Sequence, residues 1–145
     1  MKISNKTKYG IQFMLSLAIE YGDSYINIKD IAQKENISIK FLENIVSIIK
    51  PSELIHVKRG AMGGYRLSKA PTEITLREIV ELLEGEILEK DITVSNENNL
   101  TGVGYVTNRF LNEFRESVIG FFTNTTLSDL IKQYNQKQNN FMFYI

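Results

Sequence analysis

Apolar residues recur at helical spacing in six stretches of the chain, and polar turns separate these stretches. The first, residues 7–21, has a wide apolar arc, which is typical of a helix buried on more than one side. Residues 28–34 and 39–50 follow, and the capping residues Asn27 and Ser38 precede them. Pro51 ends the later stretch, because proline cannot continue a helix. These patterns predict two short helices joined by a turn at residues 35–37.

A glycine-rich segment follows directly. Residues 54–58 and 65–67 have strand character, and the loop between them carries three glycines and Arg59. Since glycine adopts positive φ at low steric cost, the pattern predicts a β-hairpin. The two helices alone could be a helical hairpin that only builds a core. A basic hairpin directly after them favours a winged helix-turn-helix, a fold that binds duplex DNA.

The expected DNA contacts fall on three segments. The second short helix would present its polar face to the major groove, Arg59 would enter the adjacent minor groove, and lysines would hold phosphates. The predicted residues are Lys2, Ser4, Lys6, Ser38, Lys40, Phe41, Asn44, Lys58, Arg59, Gly60, Gly63, Gly64 and Tyr65. The N-terminal lysines have an alternative role as the solvated end of the first helix.

The helical pattern returns after the hairpin and then stops. Thr75-Leu76-Arg77-Glu78 matches a capping box and opens a helix that Gly85 ends. Residues 86–104 lose periodicity, and residues 91–104 in particular are rich in Asn, Ser, Thr and Gly. The sequence therefore predicts a winged-helix domain over residues 1–85 and a linker or effector-region loop over residues 86–104.

A long aromatic-rich pattern begins at Tyr105 and predicts a helix to about Phe122. Its stripe needs a partner surface, and a second subunit is the simplest one. The predicted dimer contacts are Val106, Phe110, Phe114, Val118 and Phe121. The alternative is that the helix folds back on its own domain. A capping box at residues 126–129 opens another helix to about residue 136, so residues 105–137 are predicted to form dimerisation helices.

The last residues, 138–145, are predicted to be a C-terminal tail. Residues 136–140 form a polar spacer, and Phe141-Met142-Phe143-Tyr144-Ile145 are all apolar. An exposed apolar end needs cover, so the tail either packs on the dimer or occupies a pocket of another protein. The residues alone favour packing.

Charge divides the chain into two halves. The net charge of the 145 residues is zero, but residues 1–70 carry 11 Lys/Arg and 6 Asp/Glu, whereas residues 71–145 carry 6 and 11. A basic first half is expected if that half faces phosphate. No apolar run approaches the roughly 20 residues that span a membrane, and the N-terminus lacks a signal-peptide pattern. We therefore expect a cytoplasmic protein with no membrane partner.

Candidate catalytic and metal-binding residues are scarce. The chain has no cysteine, which excludes disulfides and cysteine-ligated clusters, and its one histidine, His56, lacks a second imidazole with which to bind zinc. The glycines of the hairpin lack the Gly-Lys-Ser/Thr ending of a phosphate loop. No nucleophile–base pair or paired carboxylates stand out. We predict no metal, no cofactor and no enzymatic activity.

The first 85 residues resemble the Rrf2-type winged-helix repressors. The most specific stretch is Arg59-Gly60-Ala61-Met62-Gly63-Gly64-Tyr65. The start Met1-Lys2-Ile3-Ser4, Tyr9-Gly10, Ile31-Ala32, the helix at residues 38–46, Glu78-Ile79-Val80 and Leu83-Glu84-Gly85 also match. The resemblance implies a homodimeric transcriptional repressor, and its two recognition helices, about 34 Å apart, would read a dyad-symmetric operator.

The lack of cysteine indicates which members of the family the chain resembles. Members with an iron–sulfur cluster carry three cysteines after the Leu83-Glu84-Gly85 motif, and this chain has none. Its C-terminal part is similar instead to the repressors of cysteine metabolism, which act with the cysteine synthase CysK. Because that enzyme accepts C-terminal peptides ending in isoleucine, the resemblance reverses the preference for packing. It implies partner contacts by Met142, Phe143, Tyr144 and Ile145.

Two other functions stay open. One is a regulator of the same fold that controls another regulon and binds a small molecule directly, with residues 86–107 as the ligand region. The other is a protein-interaction module that acts through its C-terminal tail.

Overall fold

The computed structural model describes residues 2–86 and 100–143, and within them the chain forms six α-helices and one β-hairpin. The elements are α1 (Asn5–Ile19), α2 (Ile28–Glu35), α3 (Ile39–Ile49), β1 (Ile55–Lys58), β2 (Gly64–Leu67), α4 (Leu76–Glu84), α5 (Gly102–Asn124) and α6 (Leu127–Phe143). Short 3-10 turns lie at Lys50–Ser52 and Pro71–Glu73. The predicted fold class, mainly helical with a small β wing, is confirmed.

Local capping explains where the helix-turn-helix begins and turns. The Asn27 side chain accepts a hydrogen bond from the Lys29 amide at 2.8 Å and caps α2. Asn36 then adopts left-handed geometry with φ of 53°, which asparagine tolerates better than most residues. Ser38 caps α3 by accepting from the Phe41 amide. The predicted turn between the two helices is confirmed.

The wing is a two-stranded antiparallel sheet that is tied to the start of α2. Strands β1 and β2 pair from Ile55 opposite Leu67 to Lys58 opposite Gly64. The backbones of Ile26 and Tyr65 exchange hydrogen bonds of 2.8 and 2.9 Å. The wing is therefore held against the helix-turn-helix by main-chain contacts as well as by side chains.

One hydrophobic core joins α1, α3, α4 and the base of the wing. Its fully buried side chains include Phe13, Met14, Leu17, Leu42, Ile45, Ile49, Ile74 and Ile79. At Gly10, α1 approaches α4 so closely that an added Cβ would lie 2.3 Å from Leu83 Cδ1. The core thus fixes the orientation of α3 relative to α1 and the wing.

The C-terminal helices are joined to this core. Leu127 at the start of α6 is fully buried, and α6 packs on α1. The Leu76 amide donates to the Thr125 carbonyl at 2.8 Å, and the Leu127 amide donates to the Ile74 carbonyl at 3.0 Å. The segments that precede α4 and α6 therefore form an antiparallel backbone bridge. The hydrophobic core thus includes residues beyond residue 85.

Both C-terminal helices are longer than predicted. Helix α5 begins at Gly102 rather than Tyr105, because the Thr101 side chain accepts from the Gly104 amide and caps it. Helix α6 continues to Phe143, so a tail separate from the helix is wrong for residues 138–143. Residues 127–143 contain neither glycine nor proline, and the polar residues near residue 137 are compatible with a helix.

Helix α1 lies two residues earlier than predicted, because it begins at Asn5 rather than residue 7 and ends at Ile19 rather than residue 21. Residues 87–99, most of the predicted effector-region loop, lie outside the described residues. Among the helices that the structure describes, none is long and apolar enough to cross a membrane.

Candidate nucleic-acid interface

Helix α3 presents a polar face to solvent. Ser38, Lys40 and Asn44 are exposed on it, whereas its other side buries Leu42, Ile45, Val46 and Ile49 in the core. The predicted division between the two faces is confirmed. The exposed hydroxyl, ammonium and amide groups are of the kinds that contact base edges and phosphates.

The wing, the start of α2 and Lys50 at the end of α3 border a basic cleft of about 370 Å³. It is lined by Asn27, Ile28, Lys50, Val57, Lys58, Arg59, Gly60, Gly63, Gly64 and Tyr65. All six of the predicted wing residues therefore line one cleft, and Arg59 is exposed there. We call this region the wing cleft.

Sequence reasoning missed Lys50 and Tyr25. Lys50 follows α3 and lines the wing cleft, although the sequence marks it only as the last residue before Pro51. Tyr25 lies beneath two wing cations: its ring centroid is 5.7 Å from Lys58 Nζ and 5.1 Å from the Arg66 guanidinium carbon. No local pattern could have revealed these long-range contacts, which position the cations by cation–π attraction.

Arg66 is further held by an ion pair to Asp23, with Nη1 and Oδ1 3.1 Å apart. The predicted phosphate contact Lys58 has its ammonium over Tyr25, at the rim of the wing cleft. The Arg66–Asp23 ion pair and the Lys58–Tyr25 contact are both accessible to solvent. They therefore position the two cations and add little to the stability of the fold.

The N-terminal segment is fastened to the end of α4 through one carboxylate oxygen. The Ser4 amide donates to Glu84 Oε1 at 2.8 Å, and the hydroxyls of Ser4 and Thr7 donate to the same oxygen. Lys2 is exposed, and Lys6 is half-buried near Glu84. We call Ser4, Thr7 and Glu84 the N-terminal clasp, since they place both predicted phosphate-binding lysines.

The surroundings of the Glu84 side chain favour its negatively charged form. Partial burial raises the pKa of Glu84, but the hydrogen bonds from Ser4 and Thr7 and the positive charge of Lys6 outweigh it, so the pKa is lowered overall. Glu84 is thus held as a carboxylate beside the positive N-terminal end of α1, where a negative charge is stabilised.

Three predicted DNA contacts are engaged within the protein. The Ser4 hydroxyl belongs to the clasp, Phe41 packs edge-on against Tyr9 at 5.6 Å, and Tyr65 packs edge-on against Phe13 at 5.8 Å. Both aromatic rings are half-buried. These residues position the interface, and direct DNA contact by their side chains stays a prediction.

The glycines of the wing are required by its geometry. Gly60 has a φ of +104°, which disfavours any side chain, and a Cβ at Gly63 would lie 2.2 Å from the Lys58 carbonyl oxygen. A Cβ at Gly64 would lie 2.3 Å from the Ile26 carbonyl oxygen. Gly60 and Gly63 thus allow the backbone to turn tightly after Arg59, and Gly64 allows the wing to approach the backbone of Ile26.

The predicted dimer stripe lies mostly in solvent. The exposed fractions are 64% for Val106, 65% for Phe110, 44% for Phe114 and 63% for Phe121. Val118 is half-buried, because it lies toward the side of α5 that faces the protein. At the end of α6, Met142 and Phe143 are 74% and 87% exposed, while Tyr144 and Ile145 lie outside the described residues.

A family model described as Rrf2, iron-dependent transcriptional regulator, matches residues 3–133 of the chain. The chain belongs to the Rrf2 family. It is a transcriptional regulator of the winged-helix type, as the stretch at residues 59–65 indicates. Its relatives are transcriptional regulators rather than enzymes.

Individual relatives agree with the family. The HTH-type transcriptional regulator CymR of Bacillus subtilis is 34% identical over 145 residues, which is the full length of both chains. The solved structure of B. subtilis CymR superimposes with a TM-score of 0.77 at 33% identity, over 92% of this chain and 98% of that one. T. potens IscR superimposes with a TM-score of 0.75 at 28% identity, over 95% and 91%.

The iron dependence in the family's description does not fit the residues of this chain. The sequence has no cysteine and one histidine, and His56 lies on β1 of the wing. Over residues 2–86 and 100–143, no group of three or more His, Asp or Glu side chains is arranged to hold a metal ion.

Proposed function

We propose that this protein is a homodimeric repressor that binds a dyad-symmetric operator. Helix α3 lies in the major groove, and Arg59 on the wing enters the neighbouring minor groove. The observation that carries this proposal is the wing cleft, which Lys50, Lys58 and Arg59 line and which contains the C-terminal end of α3. The acidic half of the chain then lies away from the DNA.

The second subunit is inferred from α5. Val106, Phe110, Phe114 and Phe121 form an exposed apolar stripe on one side of a 23-residue helix. A stripe of this kind is covered most simply by the same stripe of a second copy around a two-fold axis. Two recognition helices would then face successive major grooves about 34 Å apart.

The regulated genes are inferred from the B. subtilis relative. That protein is named as the global cysteine regulator of its organism, and this chain matches it from end to end. We infer that this regulator controls genes of cysteine or sulfur metabolism, and that it acts together with the cysteine synthase CysK. The alternative is another regulon controlled by a directly bound small molecule.

The C-terminal end supports a protein partner. Phe141, Met142 and Phe143 leave most of their surfaces in solvent at the end of α6. Since they are helical here, a peptide-binding pocket that takes an extended C-terminus would have to unwind the last turn. Helix ends fray at small cost, so the last residues remain available to such a pocket.

The operator is tested by binding purified protein to sheared genomic DNA of its own organism and sequencing the retained fragments. A dyad motif upstream of cysteine and sulfur genes supports the whole proposal. A dyad motif elsewhere keeps the repressor and rejects the regulon. No enrichment, with or without cysteine synthase, would reject DNA binding.

The partner is tested by removing residues 141–145 and measuring binding to purified cysteine synthase. We expect synthase binding to be lost while operator binding is retained, because the wing cleft lies at the other end of the chain. Full synthase binding by the truncated protein would exclude the tail as the contact. Loss of both activities, with the dimer still intact, would show that the tail also supports DNA binding.

A further inference from the structure

The tip of the wing is a tight, well-defined turn. The Gly63 amide donates to the Gly60 carbonyl at 3.0 Å, so Ala61 and Met62 occupy the two central positions of a β-turn. Gly60 has a φ of +104°, and the backbone around Gly63 leaves no space for a Cβ. Met62 is therefore carried at the outermost point of the wing by a constrained backbone.

Met62 is unusual among the large apolar side chains of the wing. It is 85% exposed, whereas Ile55 and Leu67 are 5% and 3% exposed and Val57 is 36% exposed. A single exposed apolar residue needs no explanation by itself. Here, however, it stands three residues after Arg59 on the element that borders the wing cleft and its cations.

We propose that Met62 inserts into the minor groove as an apolar wedge at a base step beside Arg59, and that it bends the operator there. This inference rests on the proposed DNA-binding function and adds a residue that determines operator preference. Methionine belongs to the side chains that proteins use as such wedges, and its unbranched, flexible chain suits a groove about 6 Å wide.

The wedge predicts a preference in the operator. Pyrimidine–purine steps are the easiest to unstack, so each half-site would favour a TA or CA/TG step under the wing. This preference arises from deformation and not from hydrogen bonding to bases. It should therefore depend on the Met62 side chain and be independent of the charges that set the response to salt.

The test compares Met62→Ala with the wild-type protein on the operator recovered from the genomic selection. We expect Met62→Ala to bind about 10-fold more weakly, with an unchanged dependence on salt, and to bend an end-labelled duplex less in energy-transfer measurements. Arg59→Ala should instead reduce the salt slope by about 1. Tyr21→Ala is the control. It removes an exposed side chain that lies outside the wing, beside its base and away from its tip.

A second comparison changes the DNA. Replacing the flexible step under each wing with AA should weaken the wild-type protein about 10-fold and leave Met62→Ala almost unchanged. Equal affinity and equal bending for the wild-type and Met62→Ala proteins would overturn the wedge, as would weaker binding with undiminished bending. If the wild-type protein binds no operator at all, the proposed function itself fails, which is a distinguishable result.

Discussion

At the scale of single residues, the wing depends on positions where a side chain has no room. Gly64 lies against the backbone of Ile26, and an added Cβ would be 2.3 Å from the carbonyl oxygen and 2.5 Å from the carbonyl carbon. Backbone atoms cannot move aside as the end of a flexible side chain can. The same contact carries the hydrogen bonds that hold the wing against the start of α2.

We expect Gly64→Ala to lower the free energy of unfolding by about 1–3 kcal/mol, because the added methyl group must push the wing away from Ile26. Urea unfolding followed by circular dichroism measures this change. Gly22→Ala is the matched control, since nothing lies within 4 Å of a Cβ at Gly22. Equal stabilities for the two variants would show that the wing is not held at this point.

The N-terminal clasp makes a prediction about pH. The folded pKa of Glu84 lies below its ordinary value of 4.5, so the ionised carboxylate contributes stability that is fully present above that value. The contribution is lost as the pH falls through the lower folded pKa. Glu84→Gln lacks this ionisation, so its stability should decline less than that of the wild-type protein between about pH 6 and pH 3.

The measurement is the urea midpoint at each pH for the wild-type protein and the Glu84→Gln variant. Glu81→Gln serves as the control, because Glu81 lies on the same helix in an exposed ion pair with Arg77. If Glu84→Gln and the wild-type protein lose stability in parallel as the pH falls, the clasp contributes nothing through its charge.

At the scale of elements, capping signals in the sequence located the starts of four helices, whereas the starts of α1 and α5 were placed two and three residues too late. Asn27, Ser38, Thr75 and Thr126 cap the helices that the sequence assigned to them, because a cap involves residues only two or three positions apart. The end of α6 was misplaced, since the polar residues before Phe141 look like a spacer although nothing among them stops a helix. The contact between Ser4 and Glu84 spans 80 positions and has no local signature.

Helix α5 supplies the prediction at this scale. Phe110→Glu should convert the proposed dimer into a monomer, since a carboxylate in the middle of an apolar interface would be buried without a partner. Light scattering after size-exclusion chromatography gives the mass. Thr123→Glu is the control, because it adds the same charge to an exposed position on the other side of α5 at about 100° per residue. A dimeric Phe110→Glu protein would exclude the stripe as the interface.

At the scale of the whole molecule, the question is whether the two halves of the chain unfold as one unit or as two. Composition separates a basic first half from an acidic second half and suggests separate units. The structure instead places Leu127 of α6 in the same core as Phe13, Leu17 and Ile79. The boundary could not be read from the sequence, because a single leucine in a helical pattern does not reveal which surface it meets.

If one core joins the two halves of the chain, Leu127→Ala should destabilise both halves together. We expect the free energy of unfolding to fall by about 2–5 kcal/mol, because the substitution leaves a cavity at this fully buried position. Unfolding should remain a single transition by circular dichroism and tyrosine fluorescence. Leu130→Ala, one turn away and half-buried, should cost less. The variants are compared at one protein concentration, because dimers gain stability with concentration. Two separate transitions, with only the later helices affected by Leu127→Ala, would mean that the C-terminal helices form an independent unit and that α3 and the wing are positioned without them.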